Sequence, residues 1–136
     1  MTKYAAYGVS LKKGVVAYAY VTNISGPGLS LDTEDVTTHD STGAWEEVVG
    51  TILRSGEISM DIVYDPAHAT HANAGDGLIA DLVARTLITT FHLTFSDATT
   101  IWDFSAFVTG FEPSAPVGGA LTATVKFKIS GVPVLR

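Results

Sequence analysis

The chain has 136 residues, enough for one domain burying about two-thirds of its unfolded surface. Its net charge is −6, its mean hydropathy is +0.29, and charged residues make up 16% against a usual share of about 25%. The negative sign and the eight scattered bases exclude a grip on nucleic acid, and the absence of cysteine excludes disulfides, thiolate chemistry and zinc sites of the Cys type. No apolar run approaches the ~18 residues that a membrane span needs. The N-terminal MTKYAAYGVSLKKG lacks the apolar core of a signal peptide. A cysteine-free chain without these segments fits assembly in a reducing cytoplasm. Its high hydropathy and low charge favour surface hidden against copies of itself over a monomer with a generous core.

In chain order, Val15 to Ile24 is β-branched and aromatic and reads as a strand, broken at Gly26-Pro27-Gly28. A short segment, Leu29 to Leu31, leads into a polar arm over about 32–53. The arm holds six acids (Asp32, Glu34, Asp35, Asp40, Glu46, Glu47), and no Lys or Arg lies between Gly14 and Leu53. A loop of this length in a small domain is normally either functional or disordered. The embedded Val36, Trp45, Val48, Val49, Ile52 and Leu53 argue against disorder and for an arm that needs a neighbouring surface.

Ser55 to Tyr64 alternates strictly and closes at Asp65-Pro66. Ile58, Met60, Ile62 and Tyr64 share one face, and Glu57, Ser59 and Asp61 share the other. A helix is expected over about 76–86, with Leu78, Ile79, Leu82 and Val83 at helical spacing. Asp76 or Asn73 would cap it, and Asp81 and Arg85 stand at an i, i+4 spacing. Thr89 to Phe95 and Thr100 to Phe111 form a hairpin around Ser96-Asp97-Ala98. From Gly119 to Ser130, Leu121, Ala123, Val125, Phe127 and Ile129 point in, while Thr122, Thr124, Lys126 and Lys128 point out. Five to seven strands and one helix make residues 1–136 a single mainly-β domain. It is a small β-sandwich or open barrel flanked by an α-helix, with a long extended loop.

Catalytic patterns are weak. His68 and His71, flanked by Asp65 and Asp76, lack a third metal ligand and the i, i+4 spacing of metalloprotease motifs, so both read as solvated loop residues. His39-Asp40-Ser41 holds the residue types of a hydrolase triad, but a triad is assembled by the fold and not by sequence neighbours. Gly26-Pro27-Gly28 lacks the lysine and helix N-terminus of a phosphate loop. No catalytic residue, metal or cofactor is expected. Trp102, in an alternating strand, reads as core or sheet-face packing. Trp45, among acids, reads as a satellite of the core or an anchor between subunits.

The order GPGLSLDTEDVTTHDS, GAWEEVVGTILRSGEIS and DIVYDP resembles the major tail protein, or tail tube protein, of long-tailed bacteriophages. The resemblance continues through the aromatic hairpin at Phe91 to Phe111 and the closing Gly131-x-Pro133. It implies a virion structural protein, not an enzyme. It also implies homo-hexameric rings stacked into a tube in the virion tail, with sheets of adjacent subunits lining the channel and the helix outward. The implied partners are further copies, the terminator, the tape measure and baseplate or tip components, with DNA passing through unbound. The arm would then carry inter-subunit contacts through Asp32, Glu34, Asp35, Val36, Trp45, Glu46, Val48 and Val49. Glu57, Ser59 and Asp61 would face an acidic lumen that repels DNA. A monomeric carbohydrate-binding or adhesin-like β-sandwich and a secretion-system tube subunit remain as alternatives.

Overall fold

The computed structural model describes residues 3–136 except Ala74, Asp76 and Ala98. The fold is built on period-two alternation. Nine strands form: β1 (Ser10–Lys13), β2 (Val16–Ala17), β3 (Val21–Ser25), β4 (Ser30–Asp35), β5 (Val48–Arg54), β6 (Glu57–Val63), β7 (Ile88–Thr94), β8 (Ile101–Ser114) and β9 (Thr122–Leu135). Seven of them make one antiparallel sheet in the order β2-β1-β7-β8-β9-β6-β3, and β4 and β5 pair separately. The sheet does not close on itself, so β2 and β3 remain as edges. This is the open-barrel form of the mainly-β fold read from sequence, with the one α-helix among the described residues, α1 (Leu78–Ala84), packed on β8.

One face of the sheet carries the core. Ile58, Met60 and Ile62 of β6 are fully buried, as are Val125 and Phe127 of β9 and Phe91 of β7. The aromatic centre is tight. Phe91 stacks on Phe104 at 5.4 Å between ring centroids and meets Phe127 edge-on at 5.2 Å, with Tyr18 tilted against both Phe91 and Phe127. Such pairs add about 0.5–1.5 kcal/mol each beyond the area they bury. Leu78 seals the core from α1, and the ion pair from Lys13 Nζ to Asp81 Oδ2, at 2.9 Å, ties the helix to β1.

Several expectations are corrected. The strand read over Val15–Ile24 is split, because Tyr18 turns into the core and Tyr20 takes a left-handed φ of 58° between β2 and β3. The helix is shorter than 76–86. Gly77 stands at its N-cap with no side-chain cap, so Asn73 does not fill that role, and Asp76 lies outside the described residues. Asp81 pairs with Lys13, while Arg85 forms the left-handed C-cap. Ala98 of the predicted turn also lies outside the described residues, although Asp97 there accepts hydrogen bonds from Thr99 and Thr100. Leu121 is exposed, since β9 begins only at Thr122. The largest change concerns the arm. Its two ends pair as the β4–β5 hairpin, with a register shift between Leu31 and Thr33, and residues 36–47 connect them.

Replacing Phe91 with Ala removes the ring at which three aromatic contacts meet. The expected cost is about 3–5 kcal/mol of unfolding free energy, read from urea denaturation of the unassembled protein.

Candidate assembly surface

The β4–β5 hairpin is made by local rules and stands apart from the large sheet except at its base. Leu31 pairs with Leu53, Glu34 with Val49 and Asp35 with Val48 across the ladder. Near its base the Nε of Arg54 donates to Asp32 Oδ2 at 2.8 Å, and the Thr51 hydroxyl donates to the Asp32 carbonyl at 3.1 Å. Towards the tip Val36 N–H donates to the Glu47 carbonyl. Asp35 Oδ1 accepts from Thr37 N–H at 2.8 Å, and the bonds from Thr37 hold the Asp35 carboxyl below its usual range. Among the described residues no other strand or helix covers the ribbon beyond its base, and every residue of β5 is exposed. An isolated two-stranded hairpin is at best marginally stable in water.

The tip is a strained presentation device. After Ser41, whose hydroxyl accepts from Thr38 N–H at 3.0 Å, a single 3-10 turn spans Thr42–Ala44. Gly43 and Ala44 both have positive φ, 65° and 61°, and Trp45 follows extended and 77% exposed. A Cβ at Gly43 would stand 3.1 Å from Trp45 Cδ1, so the glycine leaves room for the indole. Ala44 has no such excuse: a left-handed alanine costs roughly 1–2 kcal/mol, and strain of this kind collects at functional positions. Of the residues named from sequence, Glu34, Asp35, Val36, Trp45, Glu46, Val48 and Val49 are exposed on this ribbon, with Asp32 half-buried at its base.

The second surface is the polar face of the large sheet. Glu57, Ser59 and Asp61 do point away from the core, as alternation requires. The register also places Lys128 opposite Glu57 and Lys126 opposite Ser59. Asp61 accepts from the Thr124 hydroxyl at 3.0 Å. Farther along the same face Lys12 lies opposite His92 and His92 opposite Asp103. Asp103 is hydrogen-bonded by His92 and paired with Arg136 Nη2 at 2.7 Å. This face is of mixed charge and not uniformly acidic; the acids are concentrated on the hairpin.

The motifs that looked weakly catalytic are structural. His71 is fully buried and not solvated: Nε2 donates to the Ala19 carbonyl at 2.8 Å and Nδ1 accepts from Asp65 N–H at 3.2 Å. His68 Nδ1 accepts from Thr70 N–H, and no cluster able to hold a metal occurs among the described residues. Sequence reasoning missed a groove at the hairpin base. It is lined by Leu29, Leu31 and Leu53 on one side and Val132, Pro133 and Leu135 on the other. The apolar run Val132-Pro133-Val134-Leu135, exposed except at the half-buried Pro133, marks it in the sequence.

No protein-family model matches the sequence, and no curated protein matches it either. Solved structures do. A chain in the virion of a native gene transfer agent particle superposes with a TM-score of 0.79 at 15% identity, covering 98% of this chain and 99% of that one. A chain in the tail of an empty gene transfer agent particle, solved with C6 symmetry, reaches 0.75 at 17% identity over 97% and 99%. The chain has the tail-tube fold. A chain of a sheath/tube terminator, from an extracellular contractile injection system in its extended state, shares it with a TM-score of 0.71 at 15% identity over 100% and 98%. The resemblance read in the sequence therefore holds at the level of the fold, and the tail-tube fold spans the whole chain.

Asp103 generates a pH prediction. Burial opposes its ionisation, but hydrogen bonds and charge from His92 and Arg136 outweigh it and hold the carboxyl below its usual value. A lowered carboxylate stabilises the folded state above its unfolded pKa of about 3.9, and that contribution is lost as pH falls through the lower folded value. Asp103→Asn is expected to flatten the fall in melting temperature below about pH 4. An unchanged acid limb in the variant counts against this assignment.

Proposed function

We propose that this chain is the repeating subunit of a tail tube: it self-assembles into hexameric rings that stack into a conduit for DNA in a phage-like particle. The observation that carries the reading is the end-to-end match, in both directions, to a chain from a C6-symmetric tail. The hairpin supports it, since an exposed ribbon with an apolar and acidic surface finds its complement in an assembly. In this reading Asp32, Glu34, Asp35, Val36, Trp45, Glu46, Val48 and Val49 lie at contacts between subunits. The protein resides in the virion tail after assembly in the bacterial cytoplasm. The terminator, tape measure and baseplate or tip proteins are its further partners. The terminator match favours a second position, a ring that ends the tube rather than one that repeats along it.

The polar face with Glu57, Ser59 and Asp61 lines the lumen. Its lysines and acids are interleaved, so it presents DNA with neither a strongly attractive nor a strongly repulsive wall. Electron microscopy of the purified protein tests the function directly. Stacked tubes are expected, single closed rings favour the terminator position, and a monodisperse monomer at high concentration overturns both. Trp45→Ala is expected to leave the melting temperature of the monomer nearly unchanged and to raise the concentration needed for assembly at least tenfold, the effect of losing an anchor worth about 1.4 kcal/mol or more.

The lumen assignment has its own test. Glu57→Lys with Asp61→Lys adds two bases beside Lys126 and Lys128, turning the mixed wall basic in every subunit. Tubes are expected to form, DNA passage to slow, and added salt to restore it by screening. Unchanged passage at low salt places these residues elsewhere.

A further inference from the structure

We infer that the groove at the hairpin base is the seat for Trp45 of another copy of this chain, so that each chain carries both halves of a head-to-tail contact. This rests on the tail-tube reading and names the surface that receives the arm.

The groove has a volume of about 480 Å3 and two apolar walls, one from Leu29, Leu31 and Leu53 and one from the end of β9. Leu53 is 81% exposed and Val132 91% exposed, far more than apolar side chains with a partner in their own chain. Its size lies within the ~300–1,000 Å3 range of sites that enclose an aromatic group. Arg54 also lines it. The guanidinium uses Nε on Asp32, and among the described residues its terminal nitrogens have no partner.

The occupant must be apolar, projecting and anionic at its margin. Trp45 is a protruding aromatic side chain, and Glu46 and Glu47 follow it directly. An indole between the leucine and valine walls would meet the Arg54 guanidinium, and the flanking carboxylates would meet the same cation. The strained turn through Gly43 and Ala44 already holds the indole outward, which lowers the ordering cost of docking.

A copy does not fill its own groove. The six residues of β4 separate base from tip by about 20 Å at the rise of an antiparallel strand, and the ladder holds the two ends apart. The contact is therefore between copies, and because tip and groove differ it is heterologous. Such contacts close into rings or propagate as open assemblies according to the rotation between copies.

The chain has no cysteine, so introduced thiols report a single contact without background. Protein carrying Glu46→Cys is mixed with protein carrying Val132→Cys, assembled, and treated with a short bismaleimide. A covalent dimer is expected only in the mixture and only under assembly conditions, with neither variant cross-linking to itself. Val132→Asp with Leu53→Asp, both at exposed positions, is expected to raise the assembly concentration at least tenfold with an unchanged circular dichroism spectrum. Tubes that form without the cross-link, or that assemble normally from the double aspartate variant, overturn the groove assignment and leave the tail-tube reading standing. Wild-type protein that forms neither rings nor tubes overturns both.

Discussion

The packing of Phe91 against Phe104, Phe127 and Tyr18 is the constraint from which the other surfaces follow. It joins β7, β8 and β9 on one face of the sheet and draws in the turn before β3. Once that face is apolar and closed by α1, a residue spacing of two leaves Glu57, Ser59, Asp61, Lys126, Lys128, His92 and Asp103 on the other. No separate rule is needed to make that face polar. The core also consumes the helix: with Leu78 inside and Asp81 tied to Lys13, α1 presents only Val83 and its C-terminal turn to solvent.

The hairpin stands outside this arrangement. It has its own ladder, an ion pair and side-chain bonds at both ends, and among the described residues it meets the large sheet only at its base. Its apolar residues are therefore surface within one copy. In the proposed assembly, a second molecule would supply the free energy that a core would otherwise give. Strain at Ala44 belongs to the same logic, because it positions Trp45 without any gain in packing within its own chain.

Charge is segregated in a way that suits a conduit made of copies. Acids collect on the ribbon, at Asp32, Glu34, Asp35, Asp40, Glu46 and Glu47. The sheet face interleaves the two signs, through Lys128 opposite Glu57 and through the Lys12, His92, Asp103 and Arg136 row. A uniformly acidic wall, expected from the net charge, gives way to this mixture because cross-strand register joins segments with opposite formal charge.

Alternation over Glu57–Val63 and over Thr122–Ile129 settled, from sequence alone, which side chains enter the core, because a pleat sends neighbours to opposite faces whatever the fold. The break at Gly26–Gly28, the single helix and the isolation of Trp45 were legible for the same reason: each is a local property of backbone or side chain. Cross-chain distances were not. The pairing of β6 with β9 that sets Lys128 against Glu57, the burial of His71 between Ala19 and Asp65, and the exchange of Arg85 for Lys13 as the partner of Asp81 depend on residues up to 71 positions apart. The groove is the extreme case, since its walls bring Leu29, Leu31 and Leu53 opposite Val132, Pro133 and Leu135 at the far end of the sequence. Local sequence determines the faces of each element; only the tertiary structure decides which faces meet, because that choice is made by closing the core and not by any one segment.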